Sequence, residues 1–366
     1  MRLGPLRLPA LVAVVVVLVT ACGQSATVTG TPSARVGALS SVTPVSDPRD
    51  LSGPATATLA DRSVDVVTPD AQQQLPATVT SYERTGNQQI TVTDTSRIVA
   101  MNLSGSVAAT VWALGFGDDI VGRDVAADFP GVDQLPVVTK DGHTINVEAV
   151  LALDPTLVIT DGSIGPLDVV QQLRDAGVTV VFVQNESSFD GADKLARQVA
   201  AALGAPVAGE TLAKHVDDEV ATVRQEIGPL VPSSPDGRIR MVFLYMRGSA
   251  GVYYLFGHGT GADDLIDALG GDDVATDLGW GELTPLTDEA MVKADPDLIL
   301  VMTDGLKSVG GIDGLLKSYP AVALTAAGQH RRIVDMADGD VLSFGPRSAA
   351  VLAALAAAVY SPGASE

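Results

Sequence analysis

The chain contains the stretch Asn146-Val-Glu-Ala-Val-Leu-Ala-Leu-Asp-Pro-Thr-Leu-Val-Ile159 and, 141 residues later, a related stretch, Thr287-Asp-Glu-Ala-Met-Val-Lys-Ala-Asp-Pro-Asp-Leu-Ile-Leu300. The spacing from the glutamate to the Asp-Pro pair is the same in both. Each copy predicts a short helix that ends near the proline, because the residue before a proline disfavours helical geometry. The apolar run after it is typical of a buried strand.

The repeat predicts the fold class. The match continues upstream, where Ala113-Leu-Gly-Phe-Gly-Asp-Asp-Ile120 resembles Ala268-Leu-Gly-Gly-Asp-Asp-Val274. A period this long excludes a solenoid, and strands that alternate with helices predict a mostly parallel sheet. We therefore predict an α/β protein of two similar lobes with the ligand cleft between them.

One long helix is predicted between the lobes. Residues 206–230 contain few helix breakers, and Pro206 suits a first helical turn. The predicted N-terminal lobe then covers residues 89–205, and the C-terminal lobe covers residues 231–362. A single helical connector would make a stiff hinge with limited closure of the lobes.

The N-terminus predicts export and lipid attachment. Residues 1–21 have a basic start and an uncharged run from Leu8 to Ala21, as in a signal peptide. The run ends at Val19-Thr-Ala-Cys22, which resembles the lipobox of bacterial lipoproteins, and Cys22 is the only cysteine in the chain. We predict a lipidated Cys22 at the extracellular face of the cell membrane. Residues 22–88, rich in Ser, Thr, Pro and Ala, are predicted to be a flexible tether that ends near a strand-like alternation at residues 88–92.

Charge and motifs argue against two classes of function. The formal net charge is −21, and the sequence has no basic patch, so nucleic acid is not an expected partner. The chain has no Gly-x-Ser-x-Gly elbow, phosphate-binding loop, zinc-ligand spacing or candidate catalytic cysteine, so an enzyme is not expected.

The twin lobes, the helical connector, the lipobox and the paired Glu-before-Asp-Pro segments resemble the helix-hinged substrate-binding proteins of ABC importers. Within that class, the chain is most similar to the haemin-binding lipoproteins of Gram-positive haem-uptake transporters. The motifs that carry this likeness are Gly122-Arg-Asp124, Asp141-Gly-His143, Leu244-Tyr-Met-Arg-Gly248, the glycine-rich segment Gly305–Leu316 and Gly345-Pro-Arg347. The resemblance implies capture of haem b and its delivery to an ABC permease and ATPase. A ferric siderophore or a corrinoid remains the alternative ligand.

His143 and Tyr245 are the predicted axial ligands of the haem iron. His143 follows a predicted strand of the first lobe, and Tyr245 ends the opening strand of the second, so both should reach the cleft. A free tyrosine, with a pKa of about 10, is a poor ligand at neutral pH. Arg247 lies on the same strand face as Tyr245 and would favour its phenolate, a hard ligand that suits ferric iron. The resemblance implies the same His–Tyr clamp; the other reading of Tyr245 is an aromatic that stacks on a flat ligand.

Further candidates are weaker. His258, in a glycine-rich loop, is the rival axial ligand. Candidate haem contacts are Trp280 and Met302 on the macrocycle and Arg347 and Arg123 on the propionates; Trp280 and Met302 could equally be core residues.

Glu148 and Glu289 occupy equivalent positions in the two repeats, in the first turn of each predicted helix. A carboxylate there suits the helix dipole. The resemblance implies that they dock against arginines of the permease.

Overall fold

The computed structural model describes residue 1, residue 39 and residues 42–140, 143–166 and 168–361. Residues 35–366 form one compact unit that contains both lobes. Cys22 and the predicted signal peptide after Met1 lie outside the described residues. Among the described residues, no helix is long and apolar enough to cross a bilayer.

The described part of the chain alternates between strands and helices. In chain order the strands are β1 (Ala55–Ala57), β2 (Ala77–Ser81), β3 (Gln88–Val92), β4 (Ile98–Met101), β5 (Ile120–Arg123), β6 (Thr139–Lys140), β7 (Thr144–Ile145), β8 (Leu157–Thr160), β9 (Thr179–Phe182), β10 (Arg240–Arg247), β11 (Val252–Phe256), β12 (Asp272–Asp273), β13 (Leu283–Pro285), β14 (Leu298–Met302) and β15 (Ile333–Met336). The helices are α1 (Ser106–Val111), α2 (Val147–Leu151), α3 (Asp168–Asp175), α4 (Phe189–Ala202), α5 (Pro206–Ile227), α6 (Ala262–Ala268), α7 (Val274–Asp277), α8 (Asp288–Ala294), α9 (Thr303–Ser308), α10 (Gly311–Ser318), α11 (Pro320–Leu324), α12 (Ala326–Gln329), α13 (Asp338–Val341) and α14 (Ser348–Tyr360).

The N-terminal lobe is built on a parallel sheet with the strand order β5-β4-β8-β9. Its strands are buried on both faces. Ile98 and Ala100 of β4 belong to one hydrophobic cluster, and Val99 and Met101 belong to another. Helices that cover both faces of a parallel sheet require such continuous apolar strands.

The C-terminal lobe has a mixed sheet with the order β1-β15-β14-β10-β11-β13, and β12 also pairs with β10. The strands β1, β15, β14 and β10 are parallel, whereas β11 and β13 are antiparallel to their neighbours. Met241 and Phe243 face one cluster, and Val242 and Leu244 face the other. The predicted fold of two α/β lobes is therefore confirmed.

The internal repeat is visible in the backbone. In each lobe a short helix, α2 or α8, leads through an Asp-Pro pair into a buried parallel strand, β8 or β14. The aspartates Asp154 and Asp295 both adopt left-handed φ values, 47° and 37°. Aspartate tolerates this conformation better than most residues; α8 ends directly before Asp295, whereas α2 already ends at Leu151. The predicted helix–strand repeat is confirmed.

The helix α5 connects the two lobes in sequence and shares a hydrophobic cluster with both sheets. Its buried residues Leu212 and Val220 belong to the same cluster as Ile159 of the first sheet and Leu300 of the second. A helix of this length spans about 33 Å. Because close-packed cores resist rearrangement, this shared cluster limits rotation of one lobe against the other.

The prediction of a flexible tether is wrong for residues 42–88, although the opening hairpin that the alternation at residues 88–92 indicates is present. β1 extends the C-terminal sheet beside β15, and β2 and β3 form a hairpin that is tied to β9 through the Tyr82 N–H and the Phe182 carbonyl. Val64 is also buried. β1 could not be recognised from the sequence, because its Ala-Thr-Ala stretch buries only two methyl groups, too few to give a hydrophobic period.

Residues 58–76, named the strap here, therefore run from the C-terminal sheet to the N-terminal lobe. The N–H of Val67 donates to the Ala113 carbonyl at 2.8 Å. Arg62 lies 2.6 Å from an Asp128 oxygen in the N-terminal lobe and 3.7 Å from an Asp340 oxygen in the C-terminal lobe. The expectation of a single connector is thus wrong, because the strap joins the lobes a second time.

Candidate functional site

The carboxyl ends of the two sheets face each other across the lobe boundary. The loop after β5 meets α13, which follows β15. A side chain added at Gly339 would begin 3.5 Å from the Ala126 carbonyl oxygen, so the two segments are in close contact. The N–H of Phe189, at the start of α4, also donates to Asp264 of the other lobe at 2.9 Å. Open α/β sheets bind ligands at this edge, so the cleft between the lobes is the candidate site.

His143 lies in the turn of the β6–β7 hairpin, whose other turn residues, 141 and 142, are outside the described part. The N–H of Gly165 donates to its carbonyl oxygen and ties the turn to the loop after β8. Burial, and then the positive charge of Arg247, lower the pKa of His143 from 6.5. Arg247 belongs to the other lobe, so part of the charge that acts on His143 comes from across the lobe boundary. The imidazole is then neutral at neutral pH, the form that binds metals.

Tyr245 stands in a row of stacked side chains. Phe256 of β11 stacks on its ring with centroids 5.2 Å apart and planes 14° apart, and Phe243 stacks on Phe256 at 5.4 Å. The Cζ atom of Arg247 lies 4.7 Å from the Tyr245 ring centre. Residues 243, 245 and 247 follow one another along one face of β10, so Phe256 and Arg247 flank Tyr245 on opposite sides.

This row limits what Tyr245 can do. With Phe256 on one side of the ring and a guanidinium on the other, neither ring face is open to a flat ligand. The phenol oxygen, at the edge of the ring, is the part of Tyr245 left to meet a ligand. The geometry therefore favours the oxygen-ligand interpretation over the stacking interpretation.

The guanidinium of Arg247 is held at several points. Its Nη2 donates to Asp338 Oδ2 at 2.7 Å and lies 3.5 Å from the Met302 sulfur, and its Nη1 donates to the Met246 carbonyl at 2.9 Å. Met302, at the end of β14, is half-buried. The structure thus brings Tyr245, Arg247 and Met302 together, as the sequence predicts.

Three residues at the edge of the cleft were not predicted from the sequence: Asp338 and the apolar residues Leu103 and Val125. Leu103 and Val125 follow the carboxyl ends of β4 and β5, and their side chains are 50% and 45% exposed. Exposed aliphatic residues directly after buried strands are the signal that could have found them. Asp338 gave no such signal, because its partner Arg247 is 91 residues away in the chain.

The structure does not support direct ligand contacts by either predicted propionate arginine. Arg347 is only 6% exposed, and its Nη1 lies 2.8 Å from Oδ1 of Asp340, itself buried. Both ends of the Arg123 guanidinium donate to backbone carbonyls of its own lobe, those of Asp124 and Asp133. Partners distant in the sequence or on the backbone already engage these cations, and the propionate contacts stay predictions.

Trp280 and His258 also lie away from the Tyr245 row. Trp280 is half-buried against the cluster that contains Val242 and Leu244, the side of the C-terminal sheet opposite Phe243. This position favours the lobe-core interpretation. His258 is 80% exposed, and its Nδ1 lies 2.8 Å from Asp263 Oδ2, in the same turn. His258 is therefore engaged in an exposed turn of its own, which weakens the case for it as the rival axial ligand.

Glu148 and Glu289 occupy the first turns of α2 and α8 and are exposed. In α8 the capping hydrogen bond is made by Thr287, whose hydroxyl accepts from the Ala290 N–H. Neither glutamate forms an ion pair or a hydrogen bond with another described residue. Both carboxylates are free for a partner.

Asp124, in the Gly-Arg-Asp motif at the end of β5, is a buried carboxyl group with 1% exposure. Burial raises its pKa to about 6, although the N–H groups of Asn102, Ala126 and Ala127 donate to it and oppose the shift. These three hydrogen bonds fix the loop that carries Val125.

We expect Asp124→Asn to remove one component of the pH dependence of stability. The folded pKa of about 6 exceeds the unfolded value of 3.8, so the folded state holds this proton more tightly. The contribution of Asp124 to stability therefore falls as the pH rises from about 4 to 6, by about 3 kcal/mol. In urea unfolding, the free energy of unfolding of the variant, taken relative to that of the unaltered protein, should rise by about that much between pH 4 and pH 7. A constant difference would contradict the raised pKa.

Comparisons with known proteins agree with this architecture. A profile of the family described as periplasmic binding protein matches residues 99–338. The uncharacterized ABC transporter substrate-binding lipoprotein YvrC of Bacillus subtilis (strain 168) is 27% identical over 294 residues, 79% of this chain and 88% of YvrC. A cobalamin-binding protein of Halobacterium salinarum is 30% identical over 218 residues, 58% of this chain and 56% of that protein.

Among solved structures, the chain is similar to the haem-binding protein HmuT. The two are 38% identical, with a TM-score of 0.78 over 86% of this chain and 99% of HmuT. HmuT has also been solved with a histidine, a tyrosine and an arginine individually substituted, and that arginine lies two positions after the tyrosine. The Tyr245–Arg247 pair has the same spacing.

Proposed function

The chain belongs to the periplasmic binding protein family, and from this premise we propose that it captures haem outside the cell and delivers it to an ABC permease for iron acquisition. His143 and Tyr245 would bind the haem iron from opposite lobes, and Arg247 would favour the phenolate form of the tyrosine. The chain acts as a binding protein in this proposal, and not as an enzyme.

The observation that carries the proposal is the row Phe256–Tyr245–Arg247. It leaves the tyrosine oxygen as the group that meets a ligand, because Phe256 and the Arg247 guanidinium cover the two faces of the ring. Tyrosine oxygen is an established ligand of ferric haem. His143, in the other lobe, would be the second ligand, and the lowered pKa of its imidazole favours the neutral form that binds metals. The likeness to HmuT supports the same ligand.

The sides of the cleft also suit a macrocycle. Leu103 and Val125 offer exposed aliphatic surface at the carboxyl ends of β4 and β5. Met302, beside Arg247, adds a polarizable thioether, which packs well on flat aromatic surfaces. A porphyrin presents a broad apolar face that these side chains can cover.

A corrinoid or a ferric siderophore is the alternative ligand, and the likeness to a cobalamin-binding protein favours testing the corrinoid first. A siderophore would call for several free arginines. Arg123, Arg247 and Arg347 are already paired or hydrogen-bonded. A corrinoid has no need of a Tyr-x-Arg element.

The test is a titration of soluble protein, starting at residue 39, with haemin, cobalamin and a ferric siderophore. Saturable one-to-one binding of haemin, with a phenolate-to-iron charge-transfer band, is expected. Saturable binding of cobalamin without a change in the haemin spectrum would overturn the haem assignment in favour of the corrinoid.

Transport should depend on Glu148 and Glu289. We expect the double variant Glu148→Ala/Glu289→Ala to retain haemin binding and to lose roughly 10-fold or more of the transporter's ATPase stimulation, since removal of one partner of a docked charge pair costs about 2–5 kcal/mol. The measurement uses the permease and ATPase in vesicles. Glu282→Ala, also an exposed glutamate of the C-terminal lobe, is the matched control. Full stimulation by the double variant would contradict the docking role.

Lipid attachment at Cys22 completes the proposal. The only cysteine of the chain ends a lipobox-like sequence, and the relative YvrC is named a lipoprotein. Anchoring would keep the binding protein at the extracellular face of the membrane, beside its permease.

A further inference from the structure

We propose that the surface that docks on the permease has a second, apolar component: the exposed side chains of Leu151 and Val292, each one helical turn after Glu148 or Glu289. The partner would then offer, twice, a basic side chain beside an apolar recess. The inference rests on the proposed function, in which the two glutamates dock on the permease. The glutamates alone do not reveal it, because a charge pair needs no apolar neighbour.

The two aliphatic side chains occupy equivalent positions of the internal repeat. The segment Glu148-Ala-Val-Leu151 recurs as Glu289-Ala-Met-Val292. Leu151 is 37% exposed and Val292 is 55% exposed. A single exposed aliphatic residue is normal on a protein surface and needs no explanation. Two of them at the same position of two repeats, each after an exposed glutamate, form a repeated surface feature.

Helix geometry places each glutamate and its aliphatic neighbour on one face. Glu148 and Leu151 both belong to α2, and Glu289 and Val292 both belong to α8. Residues three apart in a helix are neighbours on its surface, with Cβ atoms about 5–6 Å apart. A partner that contacts the carboxylate therefore also meets the aliphatic side chain.

The residue between them fixes this face in position. Val150 of α2 and Met291 of α8, each directly before the exposed aliphatic residue, are fully buried. Each belongs to the hydrophobic cluster on one side of its own lobe's sheet. Because both helices are anchored to the core in this way, little conformational entropy would be lost when a partner binds the exposed face.

The charge of the two faces indicates the kind of partner. The charge that recurs in both is the carboxylate of the glutamate, whereas Lys293, which follows Val292, corresponds to an uncharged residue, Ala152, in the first repeat. An anionic membrane surface would repel these carboxylates. A protein with basic side chains is the complementary partner, and the apolar component requires an apolar recess beside each of them.

The test is binding of the ligand-free soluble protein that starts at residue 39 to the permease and ATPase in nanodiscs, over a range of salt concentrations. Apolar contacts are not screened by salt, whereas exposed charge pairs are. We expect Leu151→Ser/Val292→Thr to weaken binding by about 10-fold at every salt concentration. Glu148→Gln/Glu289→Gln should weaken it at low salt and should remove most of its salt dependence.

The matched control carries the same two substitutions at exposed positions outside the repeat. Leu283 is 54% exposed and Val207 is 78% exposed. Leu283→Ser/Val207→Thr should bind the permease within about twofold of the unaltered protein, as most surface substitutions have small effects. All three double variants should bind haemin as the unaltered protein does, which would show that the fold and the cleft are intact.

The inference would be overturned by a loss in Leu151→Ser/Val292→Thr no larger than in the control, or by a loss that disappears at high salt. If the glutamate variant docked normally and the aliphatic variant did not, the docking role of the glutamates would fail and the apolar contact would stand. Absence of haemin binding with docking intact would remove only the ligand assignment. Absence of any docking by the unaltered protein would overturn both the docking role and this inference.

Discussion

Tyr245→Phe should abolish the charge-transfer band of the haemin complex and weaken haemin binding by about 100-fold. Loss of outer-shell partners alone costs about 10–100-fold at metal sites, and this substitution removes a proposed iron ligand. The ring itself remains, still stacked on Phe256 and under Arg247. A role in packing or stacking would therefore survive the change, whereas a role as oxygen ligand would not.

The control for this substitution lies on the neighbouring strand. Tyr254 is the register partner of Tyr245, so Tyr254→Phe removes the same atom from almost the same place and should leave the band intact. His143→Ala should retain the band but change the spectrum, because the ligand on the opposite face is lost. If Tyr254→Phe removed the band and Tyr245→Phe did not, the iron ligand would be Tyr254.

Removal of the N-terminal residues up to 88 should prevent stable folding. The truncation exposes the edge of β15 and the surface covered by Ala55, Ala57 and Val64. It also removes the hydrogen bond that the Thr56 hydroxyl donates to the buried carboxylate of Asp335. Burial of one valine side chain contributes about 1.5–3 kcal/mol, and the total loss of about 5 kcal/mol or more is comparable with the whole stability of a protein.

A protein that starts at residue 39 is the matched control, because it retains the strap and β1. It should melt cooperatively, whereas the protein that starts at residue 89 should be insoluble or should lack a cooperative transition in circular dichroism. A soluble product from residue 89 that melts within about 4 °C of the longer protein would show that β1 and the strap are dispensable.

The parts of the fold that were predictable are those with local signals. The Asp-Pro repeat, the breaker-free run of α5 and the apolar strands each follow from neighbouring residues. β1 was not predictable, because three residues with two small buried side chains carry no period. The positions of His143 and Tyr245 near strand ends were predictable, and their role as a ligand pair stays a prediction. The ion pairs of Arg347 and Asp338 were not predictable, because they depend on tertiary contacts.

The burial of Leu39 limits how far the protein could travel from the membrane if it is anchored at Cys22. Leu39 is already buried in the core, so the chain between the proposed lipid at Cys22 and the folded protein spans at most about 60 Å, against about 230 Å for a tether that ended at residue 88. Because the accessible volume scales with the cube of this length, it is smaller by roughly 50-fold for the shorter segment. Confinement of this kind raises the local concentration of a binding protein at its permease. A protein anchored through Cys22 would therefore stay close to the membrane surface in which its permease would lie.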